Sequence, residues 1–228
     1  GRGRRLGSWQ SLIPGESSIM LPRRRLLTLS LAALAAPALI GPALAACSPI
    51  DLDKGVSFKR KDGSKGLARR EGDGAVVIDY VTNRGDWLDR RRVVNGVFEI
   101  GRVVQESEYP VVGASAPDYT WTYSPKPVWL EDGMTWNGKV KEVVEVTISD
   151  ANATVQRDRT RWTASFRCFE PREVKLSGCS YKVLTVEGTF VGDKGSRSQR
   201  WVYFPEYSFA LETRRDGVSN GLVALGPV

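Results

Sequence analysis

After Cys47 no stretch of this chain keeps an apolar period of 3.6 for as many as ten residues, and short β-type runs alternate with turn residues instead. That texture excludes a helical bundle. It predicts an all-β, antiparallel domain of roughly ten strands, built as a curved sheet, a sandwich or an open barrel. Residues 75–81 open the series. Residues 87–94 and 97–105 flank Asn95-Gly96, a pair of the kind that is the strongest two-residue hairpin signal. Further strands are expected at 109–112, 119–123, 134–137, 141–149, 153–157, 160–169, 181–191, 197–204 and 207–214.

The N-terminal part has a different texture. Met20 precedes Arg23, Arg24 and Arg25, and residues 26–46 are an uncharged run of 21. This order of basic start, apolar centre and small-residue end is that of a secretory signal peptide spanning 20–46, with a helical apolar core. Pro37, Gly41 and Pro42 suit an extended protease site better than a permanent membrane helix. Residues 1–19 read as an extension upstream of the start.

Two processing routes remain open. Ala43-Leu44-Ala45 is an A-x-A site that would release a secreted protein. Leu44-Ala45-Ala46-Cys47 resembles a bacterial lipobox, which implies a diacylglyceryl (palmitate-bearing) anchor on the Cys47 sulfur and an outer-membrane lipoprotein on the periplasmic side. Ser48 is not the aspartate associated with inner-membrane retention. Arg23-Arg24-Arg25-Leu26-Leu27 also resembles a twin-arginine signal, so the export route stays undecided.

The leader explains the charge. The whole chain has 33 Lys and Arg against 26 Asp and Glu, but residues 48–228 hold 27 and 25. No basic footprint for nucleic acid remains there. Arg69-Arg70 and Arg90-Arg91-Arg92 read as solvated strand faces. Histidine is absent, so Ser-His-Asp and Cys-His machinery and imidazole metal sites are excluded. No metal and no cofactor are expected.

With Cys47 assigned to lipidation, Cys168 and Cys179 form an even pair in an exported chain and read as a disulfide closing the loop between them. Residues 47–74 are polar and turn-rich and read as a flexible, lipid-anchored tether, with a short strand near 56–58. The β domain then runs over 75–216, and residues 217–228 form a peripheral tail.

In the second half, Trp129-Leu130-Glu131-Asp132-Gly133-Met134-Thr135-Trp136, Val186-Glu187-Gly188-Thr189-Phe190 and Trp201-Val202-Tyr203-Phe204-Pro205-Glu206 appear in that order. Residues 128–215 thereby resemble uncharacterised bacterial envelope proteins of the TapB-like kind. The resemblance implies a curved antiparallel sheet and lends no activity. Physically, Gly133 suits a positive-φ turn, Gly188 a bulge or twist, and Pro205 a strand end.

No motif is specific for catalysis. Tyr119, Trp121 and Tyr123 share one strand face and read as sheet core rather than a sugar-stacking strip. The acid pairs Glu131/Asp132 and Glu106/Glu108 read as a turn and an edge rather than glycosidase carboxylates. The expectation is a non-enzymatic structural or interaction protein of the envelope, held to the membrane by its anchor. The alternative is a module binding a lipid or other apolar ligand. The two differ in whether Trp121, Trp136, Trp162 and Trp201 fill the interior or leave a cavity.

Overall fold

The computed structural model describes residues 47, 49–106, 114–148 and 154–228. The fold class is as expected, all-β and antiparallel, with fourteen strands among the described residues. They are β1 (Val56–Arg60), β2 (Lys65–Arg70), β3 (Val76–Val81), β4 (Trp87–Val94), β5 (Phe98–Glu106), β6 (Asp118–Ser124), β7 (Thr135–Ile148), β8 (Thr154–Cys168), β9 (Arg172–Leu176), β10 (Cys179–Gly192), β11 (Gly195–Phe204), β12 (Phe209–Arg215), β13 (Val218–Ser219) and β14 (Leu222–Pro227).

The strands make one open curved sheet in the order β13-β12-β11-β10-β8-β7-β6-β5-β4-β3-β2-β1-β14, with β9 paired to β10 alone. Nearly every connection joins neighbours, so the chain meanders across the sheet. The exceptions are β9, which follows β8 but pairs only with β10, and β14, which returns to pair with β1, Val56 facing Pro227 and Phe58 facing Leu225.

Two cores lie on opposite faces of the same inner strands. In the first, Val56, Phe58, Val76, Ile78 and Leu225 of the early strands and β14 pack with Val183, Val202, Phe204, Phe209 and Leu211. In the second, Phe98, Trp121, Trp136, Val140, Trp162 and Phe166 pack with Leu184, Val186, Trp201, Tyr203 and Ala210. Successive residues of a strand point to opposite faces. A strand buried on both faces must therefore be apolar at every position, as Trp201-Val202-Tyr203-Phe204 and Phe209-Ala210-Leu211 are. The sheet is rolled like a scroll with β10–β12 at its centre.

The hairpin at Asn95-Gly96 closes the roll. Both residues have positive φ, 47° and 85°, as a primed turn requires. Gly96 also bridges to Phe209, and a Cβ built on it would lie 2.6 Å from the Tyr203 ring. The turn is thus pressed onto the central strands, where only glycine fits.

Several expectations are corrected. Residues 47–74 are no tether: they carry β1 and β2, and Ile50, Leu52, Val56, Phe58 and Ala68 are core residues. Their outward faces are polar, which hid the alternation. The tail is not peripheral either, because β14 completes the sheet and Leu225 is buried. The pairs of strands expected over 134–149 and 153–169 are two long ones, β7 and β8, in unbroken register from Thr135/Arg167 to Ile148/Thr154. Asn137-Gly138, a turn-type pair by sequence, runs straight through β7 opposite Ser165 and Ala164. Gly188 sits in regular register, with no bulge, and a Cβ there would meet the Trp201 ring at 2.8 Å. Its role is close ring packing. Gly133, with φ 71°, and Pro205, in a 3-10 turn between β11 and β12, serve as expected. The strand expected at 109–112 and the leader lie outside the described residues.

Candidate functional site

The cysteines pair differently from the expectation. Cys47 is bonded to Cys179, with Cα atoms 5.6 Å apart, and Cys168 is a free, buried thiol. The register of β8 on β10 sets Cys168 opposite Val186, seven residues beyond Cys179. At about 3.3 Å per residue that is on the order of 20 Å, far past the roughly 7 Å limit for a disulfide. The two also belong to different cores, Cys179 to the first and Cys168 to the second. The loop expected between them is a hairpin, β9 and β10 joined at Ser177-Gly178, both with positive φ. Burial, with the Asp132 charge adding, pushes the Cys168 thiol up to about 11, which makes it a poor nucleophile. Arg23, Arg24, Arg25, Leu44, Ala45 and Ala46 lie outside the described residues.

The most concentrated chemistry is an ion network between the outer and central turns of the scroll. Arg91 alternates with exposed neighbours and faces inward, on the side of Val93. Its Nη1 donates to Glu212 Oε2 at 2.8 Å, and its Nε and Nη2 donate to Asp89 Oδ2 at 3.1 and 2.6 Å. Asp89 also accepts from Arg102, at 2.7 and 3.0 Å. Glu212 accepts from Gln199 at 3.1 Å and from Arg215 at 2.6 Å, and Arg215 reaches Glu99 at 3.8 Å. The guanidinium of Arg91 lies 4.6 Å from the centre of the Tyr80 ring, and the backbone N–H of Glu212 donates to the Tyr80 hydroxyl. A second buried carboxylate, Glu142, accepts from Trp162 Nε1 at 2.7 Å and from Arg197 at 3.2 and 3.3 Å.

The carboxyls in this network are driven apart. Burial raises Asp89 and Glu212, but the charges and hydrogen bonds of Arg91, joined by Arg102 and Arg215 respectively, outweigh it and hold both below the ordinary range. For Glu99 burial wins, and its carboxyl is raised. Opposite shifts in a cleft would suit an acid and a base. Here only Glu99 borders a space, one of about 20 Å³ shared with Trp121, Tyr123, Phe190, Arg197, Gln199 and Arg215. That is room for about one water molecule and for no substrate. Glu99 Oε1 is buried there without a hydrogen-bond partner among the described residues.

Of the other sequence candidates, the aromatic strip and the Glu131/Asp132 turn fall as expected. Trp121 and Tyr123 are core residues, and Tyr119 stacks on Trp121 with centroids 5.6 Å apart. Glu131 and Asp132 are exposed in a turn. Glu106 ends β5, while Glu108 lies outside the described residues. No group of three metal-ligating side chains occurs, and no helix is long and apolar enough to cross a membrane, among the described residues.

Clefts open on the surface of the described residues. One of about 560 Å³ lies between β1, β14 and the start of β10, beside Phe58, Lys59, Lys65, Cys179 and Tyr181. One of about 640 Å³ lies over β6–β8, beside Lys139, Lys141, Arg161 and Thr163. The third, about 430 Å³, lies over β9, β11 and β12, among Arg172, Lys175, Arg200 and Arg214.

Sequence reading missed the network because Arg90-Arg91-Arg92 looked like one solvated run. The signal was alternation: Asp89 and Arg91 share a face with core residue Val93, and Glu212 directly follows the apolar run of β12. Comparison with protein-family models, with curated proteins and with solved structures finds no match.

Proposed function

We propose that the chain is an exported protein of the bacterial envelope, working on the periplasmic side through its surface in a structural or interaction role, without catalysis. The observation that carries this is the filled interior. Trp121, Trp136, Trp162 and Trp201 all lie in the second core, and the space at the ion network is far below the 300 Å³ or so of a usual ligand pocket. That favours the structural reading over a sheet wrapped around an apolar ligand. A neutral apolar probe such as N-phenylnaphthylamine should show no saturable fluorescence gain with the folded domain; saturable binding would restore the ligand-binding alternative.

The Cys47–Cys179 bond suits an oxidising compartment. A sulfur in a disulfide cannot also carry a diacylglyceryl thioether, so this pairing favours cleavage at Ala43-Leu44-Ala45 and release over the lipobox route. The two routes differ in thiol count. For the released form, alkylation without reductant should modify nothing in the native protein and Cys168 alone after denaturation, with no incorporation of a palmitate analogue. Label that disappears in Cys47→Ser, with Cys179 alkylated beside Cys168, would establish the anchored lipoprotein instead.

A further inference from the structure

The cleft over β9, β11 and β12 is the most one-sided in charge. Lys61, Arg172, Lys175, Arg200 and Arg214 line it, and no Asp or Glu does. Beyond residue 47 the chain has an excess of only two positive charges, so this grouping is local. Arg200 is satisfied by Glu187 and Arg172 donates to Thr185 Oγ1. Lys61, Lys175 and Arg214 form no ion pair among the described residues. Five cations and no acid in one lining give the cleft a field that favours an anion.

The floor is apolar, with Val174, Leu176, Val202 and Leu222. Val174 and Leu222 are only partly buried and pack on the first core. A soluble phosphate or a nucleic-acid backbone has no use for such a floor, whereas an amphiphile does.

We propose that this cleft seats the headgroup of an anionic phospholipid at a bilayer surface, with Lys61, Lys175 and Arg214 on the phosphate and Val174 and Leu222 against the glycerol and first acyl carbons. The site does not depend on lipidation of Cys47 and would hold a released domain peripherally to a membrane.

The test is vesicle flotation of the chain from residue 44 onward, which carries every described strand and both cores. The vesicles are phosphatidylcholine alone and phosphatidylcholine with phosphatidylglycerol in equal parts. Binding is expected only to the mixed vesicles, weakening as salt rises. Lys175→Glu with Arg214→Glu should weaken it about tenfold or more, since each basic residue near an anionic surface is worth roughly fivefold. Lys141→Glu with Arg161→Glu, an equal charge change at the cleft over β6–β8, should change it little. Both variants alter exposed side chains, and equal urea midpoints check their folding. Equal binding to neutral vesicles, equal loss in the two variants, or release by soluble glycerol 3-phosphate would overturn the proposal.

Discussion

Replacing Arg91 with methionine should lower the unfolding free energy by about 3–5 kcal/mol, the usual cost of breaking a buried ion pair from one side. Urea titration by tryptophan fluorescence would read it. The arginine is buried, as is Glu212, which loses its 2.8 Å bond, and Asp89 loses two bonds at once. Methionine fills much of the volume, so the deficit reports the stranded carboxylates and not a cavity. Arg90→Met on the same strand removes a pair with Asp79 from a side chain 48% exposed, and should cost no more than about 1 kcal/mol. The deficit also depends on pH. Asp89 and Glu212 have depressed folded-state values, so their contribution is present above the ordinary carboxylate range and lost as pH falls. The gap between wild type and Arg91→Met should therefore start to narrow as pH falls through the ordinary carboxylate range and close only well below it, where the depressed carboxyls of the folded wild type take up protons themselves. Glu99 has the opposite sign: its raised carboxyl stabilises the fold in the neutral form and loses that contribution as pH rises through its folded value.

Gly96→Ala should cost about 2–5 kcal/mol from two separate sources. A non-glycine residue at φ 85° loses about 1–2 kcal/mol, and forcing a methyl against a ring in a packed core costs about 1–3 more. The new Cβ would sit 2.6 and 2.9 Å from two carbons of Tyr203. Gly133→Ala isolates the first source, because Gly133 has φ 71° with no neighbouring atom within 4 Å of the added Cβ. It should lose about 1–2 kcal/mol only. Equal losses at the two positions, measured by urea unfolding, would mean that the hairpin does not press on the central strand.

The all-β class and most strands were legible because alternation and turn residues are local signals. Asn95-Gly96 announced its hairpin to the residue, yet nothing local could say that the turn meets Tyr203 more than a hundred residues later. The continuous apolar runs Trp201–Phe204 and Phe209–Leu211 did carry the news of a strand buried on both faces, through the absence of any polar position. β1, β2 and β14 were obscured because each spends half its residues on a polar outer face. The cysteine pairing was illegible for a different reason. Parity in sequence favoured Cys168 with Cys179, but the β8–β10 register separates them and returns Cys47 to β10. The ion network needed both the inward phase of Arg91 and the rolling of the sheet, and only the first is written locally.

The pairing of β1 with β14 bears on the order in which this molecule can be completed. A chain that emerges N-terminus first presents β1 early, but the strand that covers its outer edge is the last to appear. Cys47 likewise waits through 132 residues for Cys179. Until then β1 offers a row of unsatisfied amides and carbonyls, the kind of edge on which chains join one another. When β14 arrives it takes over the edge of the open sheet from β1, and the Leu225 N–H donates to Ser177 Oγ, so the interval in which β1 stands bare ends with the final strand.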